Sequence, residues 1–576
     1  MDVYETLQTD ILILGSGGAG LCAAIHAHDS GLPLRITLAV KGLFGKSGCT
    51  RMVQGGYNVV LHPEDSFEKH FVDTLQGGQF LNNQELAWLL VTTAPERVRE
   101  LENKIGCFFD RNPDGTIHQK PFAGQSFDRT VHRGDLTGIE IINRLAEQVY
   151  RRGITILEEH RALELLLDST HERVVGALLL DIREGSFLVV QAKAVLLATG
   201  GGPSMYKIFA SSADKSTDGI AIGYRAGAEL IDMEMVQFHP TGLLAADSQL
   251  TGTVLEEGLR GAGGYLYNGK MERFMARYDP ERMERSTRDI VARSSYLEIQ
   301  EGRGTPRGGV YIDVSHLGAD FVRQHFPGMV ERCRDMGFRL DEEPVEVSPT
   351  AHYMMGGIRM DGECRSTLPG LFVAGEDSGG VHGANRLGGN GVACSTVFGG
   401  IAGESLARYA ADTPHHPYQE TQVQAMIAET LRPFKQPEKG APNLYALRQE
   451  LRELMWEKVG LVREEKALQA ALQRIAELQE DCQRVALSGG RRFNLAWQDL
   501  LNLQNLLTVS ALITQSALVR RESRGSHYRL DYPETDNHHY LRNVCLQRGA
   551  EGEMRVFWRP VALSRLSPPD LQVHKE

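Results

Sequence analysis

A chain of 576 residues that is 42% apolar and 24% charged is globular and long enough for several domains around more than one core. Its formal net charge of −12 argues against a nucleic-acid or anionic-membrane surface, since both need clustered Lys and Arg, and leaves small anionic substrates open. The longest apolar runs, such as AVLLA at 194–198, fall far short of the roughly 20 residues a membrane helix needs, and MDVYETLQTD lacks a signal peptide's basic and apolar regions, so a soluble, cytoplasmic protein is expected.

The first element is the stretch TDILILGSGGAGLCAAIHAHDSGLPLRITLAVK (9–41). An apolar, β-branched run from Ile11 to Leu14 meets Gly15-x-Gly17-Gly18-x-Gly20, followed by an alanine-rich helical pattern and a second apolar strand. This predicts a βαβ dinucleotide fold. Gly15 would make the tight turn, Gly17 and Gly18 would let backbone approach a pyrophosphate, and Gly20 would allow close helix packing. A glycine-rich turn without a ligand is the alternative. The second strand ends in Lys41 where an acid for an adenosine ribose is expected, so the ribose must be held some other way.

A second strand-to-glycine junction, AVLLATGGGP (194–203), contains Thr199 and Gly200, and a third, GLFVAGEDSGGVHGANRLGGNGVACSTVFGG (370–400), follows much later. Three such junctions predict one discontinuous nucleotide-binding domain interrupted by insertions. The insertion between the second and third is polar and rich in Arg and Glu, roughly 240–345. After about 415 the spacing becomes helical, as in LYALRQELRELMWEKVGLV and LAWQDLLNLQNLLTVSALITQSALVRRES, and predicts a helical bundle whose Leu and Met stripes are core. There is no internal repeat or low-complexity tract.

The eight cysteines are dispersed, with no C-x-x-C pair and no tight Cys/His cluster, so no intrinsic iron–sulfur or zinc site is expected. HHP at 415 and HHY at 538 read as surface residues, and no metal is predicted. Cys49 lies in GKSGCTRMVQGG (45–56), five places before Gln54-Gly55-Gly56. It has no second metal ligand nearby and remains a redox thiol, a cofactor anchor or filler.

Six motifs, MEMVQFHPTG, EEGLRGAGG, RDIVAR, HYMMGGI, VHGANRLGGN and ESRGSHYRLDYP, occur in one order, and through them nearly the whole chain resembles the flavoprotein subunits of succinate dehydrogenase and fumarate reductase, with L-aspartate oxidase as close kin. The resemblance implies an α/β fold: a discontinuous Rossmann-like FAD-binding domain (1–238 and 348–414), an inserted α+β capping domain (239–347), a helical domain (415–535) and a C-terminal tail region (536–576). It implies FAD as cofactor. It also implies Lys41, Ser47, Thr50, Gln54, Gly55, Gly56, Thr199, Gly200, Asp218 in STDG, Glu376 in AGED and Asn390 as residues around it, Asp218 and Glu376 bonding its hydroxyls.

Moving a hydride between a dicarboxylate and a flavin requires cations to clamp each carboxylate, a proton donor opposite the flavin, and exclusion of water. By resemblance, His352 and Arg386 would hold one carboxylate and His239 the other. Arg288 would transfer the proton, with Glu257 and Arg260 as its relay. An arginine seldom gives up its proton, so charge stabilisation with the proton passed to Glu257 is the more defensible version. Ion pairing of Arg260 and Arg288 with Glu257 and Asp289 is the structural alternative. Phe122 in HQKPFAGQS resembles the family's aromatic residue packed by substrate and flavin, with a place in the core as the alternative.

Two departures from the family bear on chemistry. Respiratory members carry at the position of Cys49 a histidine bonded to the flavin 8α carbon, and non-covalent members carry small residues there, so FAD held without a covalent bond is expected; a cysteinyl linkage is the alternative. Loss of the bond should weaken succinate oxidation and favour fumarate reduction or an oxidase reaction. The family's Thr-Glu-Gly is Glu256-Glu257-Gly258 here, and an inward Glu256 would repel a second substrate carboxylate by about 1 kcal/mol even in water. Glu256 could instead turn outward to solvent or to an arginine. Ala262, where many members have Glu, has no account. The expected activity is fumarate–succinate interconversion with electrons exchanged through a separate iron–sulfur subunit, which would also place the chain peripherally at a membrane; L-aspartate oxidase-like or other amino- or hydroxy-acid chemistry is the alternative. A non-catalytic flavin-binding subunit is a third reading.

Overall fold

The strand Ile11–Leu14, buried at every residue, lies at the middle of a five-stranded parallel sheet in the order Leu371–Val373, Ala194–Leu197, Ile11–Leu14, Ile36–Val40, Thr155–Glu158. In this computed structural model, which describes residues 3–212, 215–245, 248 and 250–569, all three predicted glycine junctions therefore leave neighbouring strands of one sheet. A parallel sheet covered on both faces explains why these strands are unbroken apolar runs instead of alternating ones.

The helix Gly18–Asp29 leaves the first junction and packs along the 23-residue helix Asn390–Asp412. The approach is close because glycines line it: a side chain at Gly399 or Gly403 would stand 2.5 or 2.4 Å from the Ala19 or Ala23 carbonyl oxygen. A mostly antiparallel sheet of Tyr4–Gln8, Ser186–Gln191, Val174–Asp181 and His160–Leu167 completes this part of the molecule.

The inserted region has its own sheet, Val236–Leu243, Val345–Met354, Val310–Asp313 and Tyr265–Tyr267, and its own apolar cluster, built from residues between Leu243 and Val347. Four helices, Glu420–Leu431, Leu444–Lys458, Glu465–Gln483 and Leu495–Val519, follow where the spacing of apolar residues predicts them. The Asn443 and Asn494 side chains cap two of them by accepting from backbone amides of the first turn. Among the described residues no helix is long and apolar enough to cross a membrane. Within the expected tail region the chain forms a hairpin, Arg542–Arg548 with Met554–Pro560, whose first strand pairs with Leu230–Ile231.

The motif ESRGSHYRLDYP proves to be a buried joint. Arg520, fully buried, ion-pairs Asp232 (3.3 Å), Glu234 (2.5 Å) and Glu522 (2.9 Å), tying the end of the last helix to the backbone around the Leu230–Ile231 strand. Arg524 adds a fork to Glu522, Arg529 one to Asp531, and Arg463 donates to His527. Such a network resists loss of any one member, because the charge left behind stays buried. Replacing Arg520 by Met should cost about 3–5 kcal/mol of stability. Burial and Glu234 already raise the Asp232 carboxyl to about 7. The deficit should therefore be larger at pH 8, where Asp232 must ionise without its cation, than at pH 6, and thermal unfolding of both forms at the two pH values measures it.

Candidate functional site

A cavity of about 430 Å³ opens between the glycine junctions and the inserted region. One wall is the first junction (Gly17, Gly18) with Cys49, Thr50, Gln54, Gly55 and Gly56; a second is Thr199, Gly200 and Glu376; the far end holds Phe122, His239, Glu256, Glu257, Arg288, His352 and Arg386. A smaller recess lined by Gly15, Lys41, Ser47 and Asp218 adjoins it, sharing Gly17, Gly48, Thr199 and Lys215 in its lining.

Backbone geometry explains the glycine wall. Gly15 adopts φ +116°, and a side chain there would stand 2.1 Å from the Ala198 carbonyl oxygen. Gly20 does not line the space; its role is packing, since a Cβ would sit 1.9 Å from the Gly15 oxygen. Thr50 accepts a hydrogen bond from the Gly18 amide, anchoring the Cys49 turn over the helix start. Behind the second wall, Asp377 accepts from the Thr199 hydroxyl and the Thr199 and Gly200 amides and clamps two junctions together. The Glu376 carboxylate accepts from the Met354 amide and faces the cavity.

The far end is an arginine-rich, water-poor site. Glu257, buried, receives Arg288 through Nε and Nη2 on one oxygen (2.9 and 2.5 Å) and Arg260 on the other (3.3 Å). Burial alone would raise the Glu257 carboxyl, but Arg288 and Arg260 more than reverse it and hold it below its ordinary value. Arg260 itself lies behind the cavity wall, with its Nη1 on the Glu284 carbonyl. Asp289 is not part of this cluster; it accepts from Asn385.

Arg386 is different. Its guanidinium is buried without any carboxylate in ion-pair range among the described residues: Nη1 meets the Leu387 carbonyl, Nη2 meets Gln237 Oε1, Nε has no hydrogen-bond partner, and the plane lies 4.5 Å over Tyr353. Burial, with Arg288 as a neighbour, lowers its pKa to about 10.

His239 and His352 face each other, ring centres 5.4 Å apart, and burial, with Arg288 next, holds both well below the ordinary imidazole value, so both are neutral. Two irregularities aim them. The ladder between Val236–Leu243 and Val345–Met354 jumps from Gln237↔Tyr353 to Phe238↔Ala351, leaving His352 out of the pairing, and slips again after His239, where Pro240 offers no N–H. His239 Nδ1 accepts from the Thr241 amide at 3.3 Å.

Glu256 takes the inward of its two expected directions, and two further side chains depart from the roles their motifs imply. Glu256 turns neither to solvent nor to an arginine: it is 3% exposed, lines the cavity, and pairs with Lys120 Nζ at 2.5 Å. Asn390 is outside the cavity wall, its side chain holding Asn58, His70 and Thr74 in the core. Asp218 lines the recess, but its oxygens are engaged by Lys41, Arg161, Ser216 and Asn505. Lys41 is therefore the counter-ion of Asp218.

Gln237 joins the site without having been singled out in the sequence, although it stands two residues before His239, the spacing that puts two strand residues on one face. Its Oε1 accepts from both Arg288 (3.2 Å) and Arg386 (3.1 Å), and its Nε2 is fixed by Asn385 and the Arg386 carbonyl. Lys120, two residues before Phe122, was equally legible; Asp135 and Arg332, which also line the cavity, carried no signal. No group of three potential metal ligands occurs among the described residues.

Comparison with known proteins matches this architecture. Residues 10–392 fit the model of the FAD binding domain and 448–574 that of the fumarate reductase flavoprotein C-terminal region. The chain is 47% identical over 530 residues to an uncharacterised FAD-dependent oxidoreductase of Methanocaldococcus jannaschii (92% of this chain, 94% of that one). It is 44% identical over 552 residues to a subunit of the fumarate reductase (CoM/CoB) of Methanothermobacter marburgensis (95% and 98%). A mutant of the Escherichia coli quinol fumarate reductase protein FrdA superposes with a TM-score of 0.92 at 34% identity, covering 98% of both chains. The glycine-walled space, the chamber of neutral histidines and arginines at its end, and these matches agree: the chain is an FAD-dependent oxidoreductase of the fumarate reductase and succinate dehydrogenase flavoprotein family.

Proposed function

We propose that this chain interconverts fumarate and succinate, or a closely related carboxylate, as the flavoprotein subunit of an electron-transfer assembly. The observation that carries the reading is Arg386: a buried guanidinium on a cavity wall, with a partnerless Nε and no carboxylate of its own among the described residues, is a site made for an anionic ligand. His352 beside it and His239 opposite are neutral donors for the two ends of such a ligand.

FAD, when bound along the glycine wall, supplies hydride transfer at its N5. The residues that would hold it are Gly15, Gly17, Gly18, Ser47, Thr50, Gln54, Gly55, Gly56, Thr199, Gly200 and Glu376, with Lys41 and Asp218 at the recess. The chain's own part is electrostatic and protonic. Arg386 and His352 fix one carboxylate and polarise the double bond; Phe122 closes the chamber against water. Arg288, held by Gln237 and Glu257, delivers the proton that completes reduction. Glu257, bridging Arg288 and Arg260, replaces it, so that the arginine need not stay deprotonated.

The amino-acid oxidase alternative draws on Glu256 as a bare anion awaiting an ammonium group. Lys120 already neutralises it, which favours the dicarboxylate. In a respiratory role a separate iron–sulfur subunit would carry the electrons, and that partner would place the protein at a membrane surface, whereas an oxidase reaction would need only oxygen. On this reading FAD is held without a covalent link, and Cys49, on a 3-10 turn in the cavity wall, is the residue that tests it.

Three outcomes are expected. Steady-state turnover should be found with fumarate or succinate, and activity with L-aspartate alone would overturn the assignment. Arg288→Ala should retain FAD and lose about three or more powers of ten in kcat; unchanged turnover would leave a flavin-binding subunit without catalysis. Acid precipitation should release the yellow colour into the supernatant, in the native protein and in Cys49→Ser alike; colour retained by the native chain and lost in Cys49→Ser would establish a thioether.

A further inference from the structure

Glu256 presents a contradiction that the site must resolve. It lines the chamber at the end where His239 lies: the residue before it is pinned to the His239 strand by Leu255 N to Thr241 O (2.8 Å) and Thr241 Oγ1 to Leu255 O (2.8 Å). A dicarboxylate fixed at Arg386 by one end therefore brings its other carboxylate toward a second, buried carboxylate. The groups that face Glu256 come from four directions. Lys120, from the strand Gln119–Lys120, reaches Oε1 at 2.5 Å; Glu257 is its chain neighbour; Asp135, ahead of the helix Thr137–Arg151, and Arg332, on the helix Pro327–Asp335, share the lining. Met329 Sδ takes the Glu256 amide at 3.4 Å, and a side chain at Gly258 would stand 2.8 Å from Glu256 Oε1 and 3.2 Å from the Phe326 ring. Glu257 is answered by its own two arginines, so Lys120 and Arg332 face Glu256 and Asp135 in balance until a further anion enters.

We propose that Glu256 takes up one solvent proton when a dicarboxylate enters, and as the neutral acid donates it in a hydrogen bond to the substrate's second carboxylate. Lys120 keeps Oε1, so the proton goes to Oε2. The arrangement rests on the dicarboxylate reading above and makes Glu256 a binding residue and Lys120 a positioning residue. It reconciles a buried acid with an anionic substrate: a carboxyl group offers the O–H that a carboxylate lacks, and it removes one of two like charges in the same step. Burial favours the neutral form, as do Asp135 and Glu257, and Lys120 opposes it.

The test uses the FAD-loaded full chain and two readouts. Calorimetric titration with malonate, a dicarboxylate that cannot be desaturated, in two buffers of different ionisation enthalpy counts the protons taken up. About one is expected in the alkaline range for the native protein, and none for Glu256→Gln, whose amide donates without titrating. Acetate as the ligand should give none in either. In parallel, KM for fumarate should rise about tenfold per pH unit on the alkaline side with kcat following a different profile, the slope should vanish in Glu256→Gln, and Lys120→Met should move its onset to higher pH. Equal proton uptake in the native protein and Glu256→Gln, or binding of malonate with no proton taken up, would overturn the inference while leaving the dicarboxylate reading intact. A native protein that binds neither malonate nor fumarate at any pH would remove that reading and this inference with it.

Discussion

The chemistry of this molecule depends on one carboxylate, Glu257, placed between two buried arginines. Arg260, Arg288 and Arg386 lie within one dry region, where a charge is costly unless it is answered. Glu257 pairs with two of them, and Gln237, a neutral amide, bridges the second to the third. The third is left without an anion among the described residues. Three guanidinium charges thus face one carboxylate, and the two positive charges left over favour an anionic ligand with two carboxylates.

Much of the fold follows from patterns visible in one dimension. The three glycine junctions converge because an apolar strand followed by glycine has only one economical place to put its backbone turn, at the edge of a parallel sheet where a helix begins. The helical spacing beyond residue 415 likewise survives into four helices, of which Leu444–Lys458, Glu465–Gln483 and Leu495–Val519 pack on one another. What the linear pattern could not show is direction. Asn390 sits in a motif rich in site residues, yet its side chain points into the core, since Asn58, His70 and Thr74 offer it a closed set of partners. Asp218 lies at the recess as the motif suggested, but the cations that claim it are Lys41 and Arg161, one of them 177 residues away in sequence.

Strand irregularity is the second blind spot. His239 and His352 stand out by motif, but their convergence needs two breaks in the ladder that joins their strands, one leaving His352 unpaired and one at Pro240. A regular antiparallel pairing continued from Gln237↔Tyr353 would set His352 opposite Phe238, on the other face of the sheet from His239. The bulges cost regular hydrogen bonding and are tolerated because the inserted region's own apolar cluster holds the two strands together on the far side.

Glu256 and Glu257 show how little a chain position says about an acid's state. They are adjacent, nearly identical in exposure at 3% each, and both face the cavity. Burial raises the proton affinity of both, and the partners decide the outcome: two guanidinium groups bring Glu257 below its ordinary value, whereas one lysine, opposed by Asp135 and by Glu257 itself, leaves Glu256 above it. Neighbouring acids pushed apart in this way can take different duties at one pH, one staying ionised to serve a proton path and the other poised to accept a proton. The divergence arises from Lys120, Arg260 and Arg288, which reach the pair from separate elements, so the division of labour belongs to the fold and not to the two-residue sequence that carries it.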